Sequence, residues 1–548
     1  MKKITDIILK KISKHIDKLI NQEVGILTWT LGFLGIIAIR LFLDNFIAST
    51  GDFSLISANS LHNILFFLLS FLWLLLILSF LLQIKPFKLS NFFFWSIFLI
   101  ILPPVFDLIK TGGSVFWSGY LINGWRELLV QYSTIFGNLP SGITYFGTRI
   151  VFTFAIFAIA VIIYAMSRNW LKAILGAFLA YTSLFAMASF PSLFTFVYYF
   201  FTKSRLVSAV NSVDIAQLLL ASHPILGLKV NGFLQESLTF HLNLVYFLFV
   251  LAVLGGMLLV SNREKFVAIW KNIRLPQLVY HSGLFFVGIG LGYLAYPNNL
   301  NLNIFAFLAV AVLLCSIWLA WLASVVTNDI YDFAIDNISN PERPLQKRIF
   351  TVFAYRKFGI FIFILSIFGG LIVSLKFAAL LVIYQFLAWT YSAKPFRLKK
   401  FVLLGTFISA LASLIILFMG FTLLSGDQNI QGLSWRIILL LLISLTISLP
   451  IKDFKDIAGD RADKVWTIPV LFGEELGRMI VASSIFISFM LSVFLLNEFK
   501  LFWWALFLGS AAFLSVTNKK IKPRQLFWWV LGCVFIFVII LGQTLFVK

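Results

Sequence analysis

The sequence predicts an all-α polytopic membrane protein, and three observations carry that reading. Of its 548 residues, 61% are hydrophobic and 12% charged, with a mean hydropathy of +0.98. Soluble domains hold about 45–50% apolar and about 25% charged residues. Apolar runs near the roughly 20 residues needed to cross a bilayer recur along most of the chain. Both cysteines, Cys315 and Cys533, sit inside such runs, so no disulfide framework or thiolate metal site is expected. In a soluble protein a net charge of +21 points to nucleic acid. In a membrane protein Lys and Arg collect in cytoplasmic loops, and no nucleic-acid partner is expected.

The elements follow in order. Residues 1–22 are Lys-rich and amphipathic, with Ile4, Ile8, Ile12, Leu19 and Ile20 on one face and Lys3, Lys10, Lys14 and Lys18 around it. That pattern suits a helix lying in the membrane interface. Six apolar segments make a first membrane domain over 23–261: 24–47, 59–83, 90–109, 146–166, 171–201 and 238–260. Pro191 interrupts the fifth, and Arg40 and Asp44 stand one turn apart in the first. Trp117, Trp125 and Arg126 mark its first long loop. A charged linker with Arg263, Glu264, Lys265 and Lys271 opens a second domain over 262–548. Its nine segments lie near 276–297, 303–327, 351–375, 377–392, 402–425, 435–451, 477–497, 501–517 and 525–547. Five of the loops between them hold 22 Lys and Arg, and the opposite loops and the tail hold 4. The positive-inside rule therefore puts the five basic loops in the cytoplasm, and the richness in Lys, Ile, Asn and Phe points to a prokaryotic plasma membrane.

Carboxylates are scarce and unevenly spread. Ten of the 22 Asp and Glu fall in two stretches, each after an apolar segment that ends among the basic loops. In the first, Asn328, Asp332 and Asp336 form an i, i+4, i+8 row with Asp329 beside it. In the second, Asp453, Asp456, Asp460 and Asp463 fall within an arc of about 80° on a helix. Stacked like charges repel, so such rows call for a compensating cation. Oxygen donors without neighbouring His or Cys favour Mg²⁺. Two facing carboxylate helices can hold metal ions that neutralise a diphosphate as a leaving group. Arg343, Lys394, Arg397, Lys399, Lys455 and Arg461 suit the same anion. A solvated acidic loop is the bland alternative, and two clusters on one side of the membrane argue against it. The five histidines are scattered, and of these only His281 merits a test.

These residues resemble the UbiA superfamily of intramembrane prenyltransferases. Asn328, Asp329, Asp332 and Asp336 fit its NDxxDxxxD motif, and the second cluster resembles its second Asp motif, followed by Thr467-Ile468-Pro469-Val470. Between them, Tyr391-Ser392-Ala393-Lys394-Pro395-Phe396-Arg397-Leu398-Lys399 is similar to the family's YS-x-x-P-x-[RK]-L-K loop. Arg274-Leu275-Pro276-Gln277 fits the opening of its first helix. The resemblance covers about residues 265–548 and implies a nine-helix bundle that transfers a prenyl group from a prenyl diphosphate, with Mg²⁺, to an acceptor in the membrane. It implies metal ligation by Asn328, Asp329, Asp332, Asp336, Asp453, Asp456 and Asp460, with Asp332, Asp456 and Asp460 as the catalytic carboxylates. Substrate contacts are expected from Arg343, Tyr391, Lys394, Arg397 and Lys455. Tyr331, Tyr391 and Trp466 are candidate aromatic faces for an allylic cation.

The acceptor is left open between an aromatic quinone precursor and a lipid. Phe333 stands where quinone-pathway members often carry Arg, and the run from Ile335 to Leu345 looks closer to the archaeal ether-lipid and chlorophyll-type branches. Lys464 replaces a Gly common after the second Asp set. The alternatives are ether-lipid geranylgeranyl transfer, phosphoribosyl transfer to a polyprenyl phosphate, and a transporter or lipid-handling protein with a degenerate diphosphate site.

Overall fold

The computed structural model describes residues 2–48, 53–111, 122–134, 146–203, 210–228 and 234–546. Among these residues, fifteen helices are long and apolar enough to cross a membrane, as the hydropathy predicts, and the only β feature is an isolated bridge between Ile225 and Leu228. The chain forms two compact units, Met1–His223 with Val230–Arg263, and Pro224–Lys229 with Glu264–Lys548.

The first unit comprises α1 (Lys2–Asn21), α2 (Ile26–Ala48), α3 (Phe53–Leu82), α4 (Pro86–Ser96), α5 (Leu102–Thr111), α6 (Gly124–Ser133), α7 (Phe146–Ser167), α8 (Trp170–Ala188), α9 (Phe190–Lys203), α10 (Ser212–Ile215) and α11 (Leu234–Ser261). The amphipathic α1 packs against α4 and α7 through Leu9, Ile16 and Ile20, while Ile7 and Ile8 stay exposed. Its packed stripe is thus rotated from the expected face. The segment over 90–109 is not one helix, because a 3₁₀ turn at Ile97–Ile101 separates α4 from α5. At Pro191 the predicted interruption is present, with Ser189 between α8 and α9. Arg40 pairs with Asp44 at 3.3 Å and donates to the Ile100 carbonyl at 2.8 Å. Trp125 and Arg126 open α6; Trp117 lies outside the described residues.

The second unit comprises α12 (Arg263–Asn272), α13 (Leu275–Ala295), α14 (Ile304–Tyr331), α15 (Phe333–Ser339), α16 (Val352–Val373), α17 (Leu375–Ser392), α18 (Leu404–Thr422), α19 (Trp435–Ser448), α20 (Ile457–Ala462), α21 (Ile468–Leu496), α22 (Phe502–Thr517) and α23 (Pro523–Phe546). Among the described residues they form nine membrane-length spans, two of them by joining α19 and α22 to adjacent 3₁₀ turns. Helix α13 packs closely onto α18, where a Cβ on Gly420 would stand 2.0 Å from the Phe285 carbonyl oxygen. Small residues at such crossings let helix backbones approach, as membrane interfaces require. The segment before residue 230 contributes here as well: Gly227 N–H donates to the Leu423 carbonyl at 3.1 Å, and Asn303 donates to the Pro224 carbonyl at 3.0 Å. Helix α21 begins earlier than hydropathy suggests, at Ile468, and kinks at Gly473, whose φ is 80°.

Candidate active site

The first acidic row straddles a helix joint. α14 ends at Tyr331 and α15 begins at Phe333, with Asp332 between them at φ −99° and ψ 14°. Asp332 N–H still bonds the Asn328 carbonyl, and Asp336 N–H the Asp332 carbonyl, both at 2.8 Å. The i, i+4, i+8 register therefore survives the break. The second row is built differently from expectation. Asp453 lies in a 3₁₀ helix, Leu449–Lys455, and Asp456 caps it. Residues three apart eclipse in that geometry, which brings Asp453 and Asp456 to one side, and Asp460 follows on α20.

Two residues that spacing does not single out join the rows. Asn340 donates to Asp336 Oδ1 at 3.2 Å and to Asp456 Oδ1 at 2.8 Å. Gly459 N–H donates to Ser339 Oγ at 3.2 Å, and a Cβ there would stand 2.5 Å from that oxygen and 2.8 Å from the Ile335 carbonyl oxygen. Only glycine permits α15 and α20 to come this close. Gly459→Val is expected to push the rows apart and lower turnover about a hundredfold, the cost of an ångström-scale misplacement. Steady-state kinetics on the folded variant checks this, and unchanged turnover would show that row spacing is not critical.

Both rows line one cavity of about 190 Å³. Asn328, Asp332, Asp336, Asp453, Asp456 and Asp460 face it, together with Arg274, Arg343, Lys399, Lys452 and Lys455. Tyr391 and Trp466 also line it, whereas Tyr331 does not. Beyond the charged end the walls turn aromatic and apolar, with Trp321, Tyr384, Leu387, Ala388 and Phe527. The His281 ring packs against that of Trp321, tilted by 36° with ring centres 4.7 Å apart. Its Nδ1 donates to the Gln277 carbonyl at 2.6 Å, which leaves Nε2 as acceptor for the Tyr384 hydroxyl at 3.2 Å.

Three expected site residues take other places. Asp329 is fully buried behind the cavity wall, accepting from Arg274 at 2.7 Å, Arg343 at 2.9 Å, Asn272 and Tyr355. Its oxygens accept from all four of these donors, and it is not among the residues that line the cavity. Arg397, at φ 44°, pairs with Asp463 at 2.5 Å and Asp332 at 3.3 Å and does not line the cavity. Asp463 is thereby taken out of the second row. Lys394 is exposed at the surface, and Lys399 occupies the inward position of that loop, bonded to Asp332. Lys464 adopts φ 55°, a left-handed conformation that glycine tolerates best.

The rows differ in charge balance. Asp332 is engaged by Lys399 and by Asn328 at 2.7 Å, and Asp336 by Arg343. Among the described residues, no basic side chain lies within 4.0 Å of Asp453, Asp456 or Asp460. Burial pushes Asp460 up to about 8, reinforced by Asp453 and Asp456. Burial also pushes Asp336 up to about 7 against the pull of Arg343. No three His, Cys, Asp or Glu side chains among the described residues form a ready-made metal cluster. The donors are nevertheless all oxygen, and no basic side chain among the described residues forms a direct ion pair with the second row, which fits a hard divalent cation. Arg274, Lys452 and Asn340 are additions to the expected set. Arg274 was visible only as part of the Arg-Leu-Pro-Gln segment, and the other two carry no local signal.

The profile of the UbiA prenyltransferase family matches residues 283–525. Digeranylgeranylglyceryl phosphate synthase of Methanothermobacter thermautotrophicus is 32% identical over 215 residues, covering 37% of this chain and 71% of that protein. The synthase of the same name from Methanobrevibacter smithii is 26% identical over 209 residues, 35% of this chain and 72% of that one. Among solved structures, a UbiA homolog from Archaeoglobus fulgidus bound to GPP and Mg²⁺ aligns with 51% of this chain and all of that one, at 18% identity and a TM-score of 0.39.

Proposed function

The chain belongs to the UbiA prenyltransferase family, and from that premise we propose that its cavity transfers a geranylgeranyl-type group from a prenyl diphosphate to an ether-lipid alcohol. It is a multi-pass membrane prenyltransferase; the acceptor, the metal and the residue roles are our reading. One observation carries that reading: an under-neutralised carboxylate row, Asp453, Asp456 and Asp460, shares a cavity with Asn328, Asp332 and Asp336 beneath an apolar, aromatic wall. Mg²⁺ held by these six residues would neutralise the diphosphate as it leaves. Arg343, Lys399 and Lys455 are placed to bind the diphosphate oxygens, and Arg274 to orient Asn328, whose Oδ1 it meets at 3.2 Å. The Tyr391 ring offers a π face to positive charge developing on the prenyl carbon. The aromatic end of the cavity excludes water and holds the isoprenoid tail. The lipid acceptor is supported by the two relatives named above and by Phe333 in place of Arg. The excess of Lys and Arg on the cavity side of the second unit supports a cytoplasmic opening. We assign the chemistry to the second unit.

The deciding experiment supplies the purified protein with geranylgeranyl diphosphate and two competing acceptors. One is the mono-geranylgeranyl ether of glyceryl phosphate, whose prenylation gives the product in the relatives' name; the other is 4-hydroxybenzoate. Mass spectrometry should find the di-ether. Prenylation of the aromatic acid alone would overturn the acceptor class.

A pH dependence follows from the raised carboxyls. With folded values of about 8 for Asp460 and about 7 for Asp336, both raised, the metal-free protein holds protons here that the unfolded chain has released. The stability they contribute is full below about pH 4 and is lost as pH rises through 7 to 8. A metal that displaces those protons binds better in the same window. The Mg²⁺-induced rise in Tm should therefore be larger at pH 8.5 than at pH 6. An equal rise at both values would contradict it.

A further inference from the structure

Two lysines line the cavity with no carboxylate within 4.0 Å among the described residues, Lys452 and Lys455. Lys455 stands beside Asp456 and serves the prenyl diphosphate in the reading above. Lys452 lies one 3₁₀ turn earlier, about 6 Å closer to the span of α19. Its ammonium donates to Ser409 Oγ at 3.2 Å and sits 4.8 Å from the centre of the Tyr391 ring. Ser409 gives its own hydroxyl hydrogen to the Gly405 carbonyl at 3.2 Å, so its oxygen is fixed as an acceptor for Lys452. One turn on, Ser413 donates to the Ser409 carbonyl at 2.8 Å and accepts from Tyr280 at 2.8 Å. This wall is therefore already committed, and it holds the lysine without neutralising it. An ammonium has three hydrogens to donate, and Ser409 takes one. A cation left unpaired at membrane depth is costly and marks a binding site by default.

We propose that Lys452 binds a phosphate monoester on the lipid acceptor, in a subsite separate from the diphosphate bound at Lys455. The proposal rests on the ether-lipid reading above and adds its headgroup contact. Two lysines one 3₁₀ turn apart on the cavity wall then hold two different anions. The donor lies at the carboxylate end and the acceptor phosphate on the Ser409 and Tyr391 side, with the acceptor's hydroxyl end free to approach the prenyl carbon.

The test titrates full-length wild type, Lys452→Met and Lys452→Arg with three probes. These are the mono-geranylgeranyl ether of glyceryl phosphate, the same ether lacking its phosphate, and inorganic phosphate. Mg²⁺ and an unreactive thiolo analogue of geranylgeranyl diphosphate are present throughout. Wild type should bind the phosphate-bearing lipid at least about tenfold more tightly than the phosphate-free one, the scale of a hydrogen bond to a charged group. Lys452→Met should abolish that preference, Lys452→Arg should keep most of it, and all three proteins should bind the donor analogue equally, which also reports that they fold. The proposal is overturned if wild type shows no preference or if Lys452→Met keeps it. It is equally overturned if Lys452→Met weakens the donor analogue to the same degree, which would assign Lys452 to the diphosphate. Inorganic phosphate binding as tightly as the lipid would make this a free-phosphate site instead. A wild type that shows the preference yet transfers no prenyl group to either lipid refutes the ether-lipid reaction and leaves the phosphate subsite standing.

Discussion

Replacing Asp456 by asparagine lowers prenyl transfer at least about a thousandfold, because several kcal/mol of metal-borne charge stabilisation leave with the carboxylate. The fold should not follow. Asp456 belongs to no apolar core, and the one hydrogen bond its carboxylate accepts among the described residues, from Asn340, is still accepted by an asparagine oxygen. Turnover measured beside a melting curve separates the two effects. Near wild-type turnover at saturating Mg²⁺ would remove Asp456 from the metal site.

Asp329→Asn should do the reverse, and the contrast is informative because both residues fit the acidic motifs equally well. Asp329 is completely buried and pairs with Arg274 and Arg343. Neutralising it leaves Arg274 without its carboxylate partner and Arg343 with Asp336 alone, and breaking such a buried pair costs about 3–5 kcal/mol. The expected phenotype is a lower Tm or loss of folded protein, which added Mg²⁺ does not rescue. A variant with wild-type Tm and lost Mg²⁺ dependence would return Asp329 to the metal ligands.

Much of the site was legible because it obeys local periodicity. Asn328, Asp332 and Asp336 recur at helical spacing, and the i+4 hydrogen bonds through Asp332 preserve it across a helix break that the spacing did not announce. Asp329 shows where that reading stops. Adjacent residues differ by about 100° around a helix, enough to turn one carboxylate into the cavity and its neighbour onto two arginines. The second row was found on an α-helical arc yet is built on a 3₁₀ turn, and it keeps Asp453, Asp456 and Asp460 while losing Asp463 to Arg397. In the loop from Tyr391 to Lys399, charge alone could not tell Lys394, which faces outward, from Lys399, which faces Asp332. Asn340, Gly459 and Lys452 were illegible for a different reason. Asn340 reaches Asp456 across 116 positions, Gly459 meets Ser339 across 120, and Lys452 meets Ser409 across 43. Their roles exist only once the helices are packed. At the level of the fold, fifteen spans were readable from hydropathy, whereas the contribution of Pro224–Lys229 to the second unit was not, since a short loop segment carries no periodic signal.

The most direct measurement is inorganic diphosphate release from geranylgeranyl diphosphate by the reconstituted full chain, titrated with Mg²⁺ with and without the mono-ether acceptor. If the two carboxylate rows hold the metal and the donor, release requires both Mg²⁺ and acceptor, yields one di-ether for each diphosphate, stops with EDTA, and is absent in Asp456→Asn. Release at an undiminished rate in EDTA, or release by wild type and Asp456→Asn alike, would contradict it.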